Sequence, residues 1–175
     1  ESDFLAKTGG KIGYLPLIVK AAALALRAHS RLNAHWMGHA IRLFEEIDIG
    51  IAVSLDGGLV VPVLRRADRL SLAEIATGVA TLADKARTGT LTPAEMEGGT
   101  FTVSNLGGHH IGFFMPVINP PQVAILGVGR AAPRPMFRDG QVQALRALPL
   151  SLVFDHRAVD GEPAAAFLDA VKAAL

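Results

Sequence analysis

The amino-acid sequence predicts an α/β (α+β) sandwich, in which helices pack on a mixed β-sheet. Strand-like and helix-like segments follow one another without the regular alternation that is typical of an all-parallel sheet. Residues 100–104 (TFTVS) alternate between polar and apolar side chains, and residues 122–128 (QVAILGV) form an apolar run that is typical of a strand covered on both faces. The 175 residues contain no repeat or low-complexity linker and fit one domain, residues 1–175.

The first half of the chain predicts two helices and a hairpin. Residues 14–29 carry a broad apolar face and predict a buried helix. In residues 45–66, two runs of β-branched residues flank Asp56-Gly57-Gly58, which is typical of a β-hairpin. Ser71 and Glu74 form a capping box at the start of the second helix. The packing face of that helix consists of Leu72, Ile75, Val79 and Leu82.

A short third helix and an alternating strand follow. Thr92 as cap, Pro93 at the first helical position and Glu95 reaching back predict the helix, and two glycines end it. In the strand at 100–104, Phe101 and Val103 point to one face. The polar residues Thr100, Thr102 and Ser104 point to the other.

The last third of the chain predicts three more strands and a helix. Residues 138–141 (RDGQ) join two short strands, and residues 150–154 (LSLVF) predict another core strand. Residues 162–175 predict the last helix, with Pro163 near its start. Its packing side consists of Phe167, Leu168, Val171 and Leu175.

Composition excludes several classes of function. The chain has 17 basic and 16 acidic residues without a basic stripe, which argues against nucleic acid as a partner. The absence of cysteine excludes disulfides, thiolate metal sites and a cysteine nucleophile.

Half of the residues are hydrophobic, which favours burial of apolar surface between subunits. Lys20 and Arg27 interrupt the longest apolar stretch, so we predict no membrane span. No signal peptide is visible, and the start at Glu1 rather than Met indicates a fragment or a processed chain.

Residues 154–162 (FDHRAVDGE) concentrate ionisable side chains directly after a predicted strand. In one interpretation Asp155 and Asp160 cap turns and His156 lies at the strand end; in the other the segment is a reaction centre. The histidines of HWMGH (35–39) lack the glutamate of a zinc-protease helix, so we predict no metal site there. No phosphate-binding glycine loop and no G-x-S-x-G nucleophile elbow is present.

FDHRAVDG (154–161) resembles the D-H-R-x-x-D-G signature of the catalytic domain of dihydrolipoamide acyltransferases, the core components of 2-oxo acid dehydrogenase complexes. The resemblance covers essentially all 175 residues. Four further blocks resemble this family in the same order: GLVVPVLRRADRLSLAEIA, RTGTLTPAEMEGGT, GGTFTVSNLG and INPPQVAILGVG. It implies a fold similar to chloramphenicol acetyltransferase.

The resemblance also implies how the domain is bounded. Residues 1–175 correspond to the catalytic domain without its N-terminal portion, and without the lipoyl and peripheral-subunit-binding domains. Residues 108–114 (GHHIGFF) depart from the family, which often has more glycine at this loop.

For the mechanism, the resemblance implies acyl transfer between dihydrolipoamide and coenzyme A. His156 would be the general base that removes the proton from the incoming thiol. The Ser104 hydroxyl would donate to the thioester oxygen as negative charge develops there. Asp160 would hold the histidine loop, directly or indirectly, and Arg157 would be structural. Neither metal nor a covalent acyl-serine is implied.

Assembly is implied as well. Members of the family form trimers with the active site between subunits, so His156 and Ser104 would come from different chains, and trimers build larger cubic or dodecahedral cores. The decarboxylase and dihydrolipoamide dehydrogenase components would bind through domains absent from this chain, one of which carries the lipoyl group. The compartment would be the bacterial cytoplasm or the mitochondrial matrix.

Two alternatives stay open from the sequence: an acetyltransferase acting on a hydroxyl, and a core fragment that serves only as a scaffold. The acyl group (acetyl, succinyl or branched-chain) is not readable from the residues. Neither are the groups that bind the phosphates of coenzyme A, for which Arg130 and Arg134 are no better candidates than other surface arginines.

Overall fold

The computed structural model describes residues 13–175, which form four helices, two 3₁₀ turns and eleven strands. The helices are α1 (Tyr14–Ala28), α2 (Leu72–Thr88), α3 (Pro93–Met96) and α4 (Gly161–Ala173). The 3₁₀ turns are Ser30–Leu32 and Gly107–His109. The strands are β1 (Ala34–Trp36), β2 (Ile41–Leu43), β3 (Ile49–Ile51), β4 (Val53–Leu55), β5 (Gly58–Val60), β6 (Val63–Leu64), β7 (Phe101–Asn105), β8 (Ala124–Val128), β9 (Ala132–Arg138), β10 (Gln141–Ala147) and β11 (Leu150–Phe154).

Five strands form the main sheet, in the order β11-β8-β7-β3-β6. β7 runs parallel to both of its neighbours, β3 and β8, whereas β11 and β6 pair antiparallel at the two edges. The sheet is therefore mixed, as the sequence predicts. Three two-stranded ribbons, β1-β2, β4-β5 and β9-β10, lie outside it.

The core lies between this sheet and the helices. Phe101 on β7 contacts Phe167 on α4, with 5.6 Å between the ring centroids, and both side chains are fully buried. α1 contributes a nearly continuous buried face, and it packs against α2 and α4. Thr100 and Thr102 are also buried, so β7 is covered on both faces.

The helix boundaries follow from capping residues. The Ser71 and Glu74 side chains bond each other's backbone N–H groups and begin α2, while Gly89 in the left-handed conformation ends it. At α3, Glu95 accepts hydrogen bonds from the backbone and hydroxyl of Thr92. Both helix starts are as predicted. α4 ends earlier than predicted, and Leu175 is exposed rather than on the packing side.

Residues 150–154 form a strand of the main sheet, as predicted. Leu150, Leu152 and Phe154 on β11 pack against the core, although β11 lies at the edge of the sheet within residues 13–175. Within residues 13–175, no helix has both the length and the apolar character that crossing a membrane requires.

Candidate active site

The sheet places the two predicted catalytic side chains at opposite ends. Ser104 on β7 is level with Gly127 on β8, which is level with Ser151 on β11. β11 runs antiparallel to β7, so the chain beyond Ser151 moves away from Ser104 and His156 follows five positions later. At ~3.3 Å per residue and ~4.8 Å per strand, the two residues are roughly 15–20 Å apart. One chain therefore does not bring His156 and Ser104 together.

A tight turn carries His156 out of the strand. The Asp155 N–H donates to Val123 O (2.8 Å), and the N–H groups of Ala158 and Val159 both donate back to Asp155 O. Ala158 and Val159 are buried in the core, which anchors the turn. The His156 ring stands outward, with its centroid 5.5 Å from that of Phe154.

Asp155 and Arg157 hold the turn from within. The Asp155 carboxylate accepts three side-chain hydrogen bonds from Arg157, the shortest at 2.6 Å, and a fourth from the Arg157 N–H. The Arg157 guanidinium lies over the Trp36 ring, 4.8 Å from the centroid. Hydrogen bonds from Arg157 lower the pKa of the Asp155 carboxyl, so the pair stays ionised at neutral pH. The interpretation of Asp155 as a turn-capping residue is correct, and Arg157 is structural, as predicted.

Asp160 lies beside the histidine. Its Oδ1 atom is 3.6 Å from His156 Nδ1, and the side chains of His156 and Asp160 are 71% and 84% exposed. Asp160 precedes α4 as its N-cap residue, yet its side chain makes no capping hydrogen bond. The carboxylate is therefore positioned toward the imidazole rather than used by the helix.

Ser104 is the polar residue of β7 whose hydroxyl is not used inside the fold. On the same face, Thr102 Oγ1 donates to Gln122 Oε1 (2.6 Å) and Thr100 Oγ1 to Asn33 Oδ1 (2.5 Å). Within residues 13–175 the Ser104 hydroxyl makes no hydrogen bond. The turn after β7 is capped by Asn105, whose Oδ1 accepts from Gly107 N, and not by Ser104.

Two adjoining cavities open at this end of the sheet. The first, which we call the Ser104 cavity, measures about 230 Å³. The second, the Arg130 cavity, measures about 360 Å³. Leu15 and Asn105 line both. The Ser104 cavity is also lined by Ser54, Arg87 and His109; the Arg130 cavity by Gly107, Gly108 and Gly129. His156 lines neither cavity.

In the part of the chain that the structure describes, no three His, Asp or Glu side chains are grouped so as to hold a metal ion. His35 Nε2 donates to Gly99 O (2.9 Å), and its ring packs edge-on against Phe44. His35 therefore has a packing role.

The structure thus joins His156 with Asp160 and separates both from Ser104. Sequence reasoning missed Trp36, because it lies about 120 positions before the arginine that it stacks under. It also missed Asn105 as the residue that closes the turn after β7; an Asn two residues before a glycine was the available signal.

The mixed sheet with its packed helices places the domain in a known class of α/β fold. Chloramphenicol acetyltransferase shares the fold, with a TM-score of 0.65 at 13% identity over 99% of this chain and 82% of that one. The likeness to the fold of that enzyme, predicted from the sequence, is therefore confirmed.

The chain belongs to the 2-oxoacid dehydrogenases acyltransferase (catalytic domain) family, which matches residues 2–175. It is 43% identical, over 95% of its length, to the dihydrolipoyllysine-residue acetyltransferase component of the acetoin cleaving system of Bacillus subtilis (strain 168). It is 47% identical, over 94% of its length, to the dihydrolipoyllysine-residue succinyltransferase component of the 2-oxoglutarate dehydrogenase complex of Pseudomonas aeruginosa. The chain spans 42% and 40% of those two proteins.

Solved structures agree with this assignment. A probable dihydrolipoamide acetyltransferase from Listeria monocytogenes superposes with a TM-score of 0.91 at 40% identity, over 98% of this chain and 74% of that one. The cubic core of the pyruvate dehydrogenase multienzyme complex superposes with a TM-score of 0.88 at 40% identity, over 97% of this chain and 70% of that one. The resemblance read from the sequence motifs is confirmed at the level of the family.

Proposed function

We propose that this domain transfers an acyl group between dihydrolipoamide and coenzyme A, with an active site completed by two copies of the chain. One observation carries the proposal: His156 and Ser104 lie at opposite ends of the sheet, the histidine exposed and the serine hydroxyl lining a cavity. Two copies arranged head to tail would bring one copy's histidine to the other's serine. The relatives' names support the reaction, since they include acetyl- and succinyltransferases acting on dihydrolipoyllysine.

His156 is the general base in this proposal. It takes the proton of the attacking thiol, and the resulting thiolate adds to the thioester carbonyl. Transfer from an ordinary thiol to an ordinary imidazole is uphill by roughly 2.7 kcal/mol, which a positioned base can supply. The Asp160 carboxylate beside Nδ1 favours a proton on that nitrogen and leaves Nε2 to accept the new one. When the carbon–sulfur bond breaks, the imidazolium returns its proton to the leaving thiolate.

Ser104 stabilises the oxygen that becomes negative in this step. Its hydroxyl has no partner within residues 13–175 and opens into a cavity, so it can donate to a bound thioester without losing another bond. Such a donor is worth ~10²–10³ in rate. The acyl-coenzyme A would enter through the Ser104 and Arg130 cavities, and the lipoyl group, carried on a separate domain, would approach from the side of the histidine turn.

We further propose a homotrimer as the active unit. The exposed apolar side chains fit this, since Phe113, Met115 and Val117 alternate along one extended segment and are 63%, 76% and 88% exposed. β11 also offers an edge to a neighbour. A heterologous contact between opposite ends forms a closed ring when the rotation between copies closes, and one structural relative forms a cubic core.

The rest of the complex follows from the same proposal. The trimer would join a larger core, in the bacterial cytoplasm or the mitochondrial matrix. The decarboxylase and dihydrolipoamide dehydrogenase components would bind through other domains. Neither nucleic acid nor a membrane is a proposed partner, and no metal takes part in the reaction as written.

Coenzyme-A-dependent acetyl transfer to dihydrolipoamide at pH 7 tests the reaction. We expect His156→Ala to lower kcat by ~10²-fold or more, because the base is lost. His39→Ala is the matched control, since His39 is an exposed histidine in the turn between β1 and β2, and it should act like the wild type. Equal turnover by both variants would refute the role of His156. A trimer that assembles but transfers no acyl group would instead indicate a core fragment that serves only as a scaffold. Acyl transfer to a hydroxyl acceptor, without transfer to dihydrolipoamide, would indicate an acetyltransferase acting on a hydroxyl.

A further inference from the structure

The cavities beside Ser104 are lined by arginine and histidine side chains. Arg87 and His109 line the Ser104 cavity and Arg130 lines the other, and no Asp or Glu is among the described residues that line either. Such a lining favours an anionic ligand. The arginines differ, however, in whether their charge is already compensated.

The charge of Arg87 is compensated by an aspartate on the same helix, α2. The Arg87 guanidinium donates to Asp84 Oδ1 at 2.9 Å. Arg65 and Arg157 are likewise paired, with Asp48 and Asp155. Arg130 makes no ion pair with any residue between 13 and 175, so its charge is available to a ligand at the mouth of the cavity.

A histidine holds Arg130 instead. Arg130 Nη1 lies 2.6 Å from His110 Nδ1. Because arginine carries only donors, His110 Nδ1 accepts in this contact. The contact therefore orients the Arg130 guanidinium without cancelling its charge. The other N–H groups of the guanidinium stay free to donate to a ligand.

The backbone around this pair is tightly built. The Arg130 N–H donates to Ile111 O at 2.7 Å. A Cβ on Gly107 would lie 2.9 Å from Gly129 O, so the two loops approach as closely as glycine allows. His110 has φ +61°, a left-handed conformation that is uncommon for a residue other than glycine. A non-glycine residue in this region costs free energy and persists where surrounding contacts impose it, often at ligand sites.

We propose that Arg130, positioned by His110, binds a phosphate group of coenzyme A. This inference rests on the proposed acyl transfer. An arginine fork suits a phosphate, to which it can donate two parallel hydrogen bonds. Arg130 lies three residues beyond Gly127, the neighbour of Ser104 on β8, and so roughly 10 Å further along the sheet. That distance fits the nucleotide end of the donor rather than a carboxylate on a short acyl chain, which stays near the thioester.

Arg130→Ala in the assembled protein tests the inference with donors of different length. For acetyl-coenzyme A we expect KM to rise by ~10-fold or more, because the variant loses at least one charge-assisted hydrogen bond to the donor. The kcat and the KM for dihydrolipoamide should stay within about twofold of the wild-type values. With acetyl-pantetheine, which has no nucleotide, the variant and the wild type should have equal KM. Arg130→Lys should recover part of the loss, and His110→Gly, which suits the left-handed backbone, should raise KM by a smaller factor. Arg69→Ala, an exposed arginine that lines neither cavity, is the control.

An unchanged KM for acetyl-coenzyme A overturns the inference, as does an equal loss with acetyl-pantetheine, which would indicate general damage. A loss confined to succinyl-coenzyme A would also overturn it, because the arginine would then bind an acyl carboxylate. Calorimetric titration with coenzyme A separates this test from the proposed reaction. If the wild type binds coenzyme A without turnover and Arg130→Ala weakens that binding, the proposed function fails and the phosphate site stands; a wild type that does not bind coenzyme A overturns both.

Discussion

At the residue scale, Ser104 differs from the two threonines that share its face of β7. Those hydroxyls are buried and donate to Asn33 and Gln122, which ties the sheet to its surroundings. Ser104, at the strand end, opens into a cavity. The same polar stripe thus ties the fold together at one end and, in the proposed reaction, contacts the ligand at the other.

Ser104→Ala should lower kcat for acetyl transfer by ~10²–10³-fold with little change in melting temperature, because the hydroxyl stabilises charge only in the transition state. Steady-state kinetics with acetyl-coenzyme A would measure this, with Ser30→Ala, an exposed serine far from the cavity, as control. A loss below tenfold would remove Ser104 from the mechanism.

The histidine turn shows what the sequence can and cannot predict about single residues. FDHRAVDGE predicts a charged turn after a strand, and the family resemblance selects His156 within it. The sequence alone does not predict which of the two aspartates, Asp155 or Asp160, lies beside the imidazole. Asp155 is bound by Arg157, whose position depends on Trp36 far away in the chain, while Asp160 is left beside the imidazole.

At the element scale, helix starts were predictable because their signals are local. A capping box needs residues three positions apart, and both Ser71–Glu74 and Thr92–Glu95 form the expected bonds. The order of strands in the sheet was not predictable, because it depends on pairings between distant segments. The prediction for residues 150–154 therefore identified a strand that packs against the core, but not its position at the edge of the sheet.

The stability contributed by the hydrogen bond between Lys85 on α2 and Glu95 on α3 should depend on pH. Lys85 Nζ donates to Glu95 Oε1 at 2.6 Å, and this bond, with those from Thr92, lowers the pKa of Glu95 to about 2. Since this pKa lies below the unfolded value of 4.5, ionised Glu95 stabilises the fold above about pH 4.5 and the effect is lost as pH falls toward 2.

Glu95→Gln should therefore melt below the wild type at pH 7, and the difference should shrink as pH falls from 4.5 to 2. Thermal melts across this range measure it. Lys85→Met, which removes the other partner of the pair, should show the same convergence. A difference that is constant with pH would mean that the pair does not couple the two helices.

At the scale of the whole molecule, one chain does not bring the proposed catalytic groups together. His156 and Ser104 lie at opposite ends of the sheet, and exposed apolar side chains alternate along the segment 113–117. Hydrophobic composition predicts such excess apolar surface, but it does not locate the surface, because location follows from the packing of the chain.

Val117→Asp should convert the trimer into monomers and remove activity, because it places a charge on the most exposed member of that segment. Light scattering with size separation gives the mass. Leu43→Asp, at another exposed apolar residue, on β2, is the control. A trimer that survives Val117→Asp would place the contact elsewhere.

The most direct test of the account is activity from two inactive variants in one assembly. Ser104→Ala and His156→Ala chains are co-expressed with different tags, and mixed assemblies are purified through both tags. If each site takes its histidine from one chain and its serine from the next, a mixed trimer contains one intact site and should recover roughly a third of the wild-type rate. Mixed assemblies as inactive as either parent would show that both residues act within one chain, which would contradict the account.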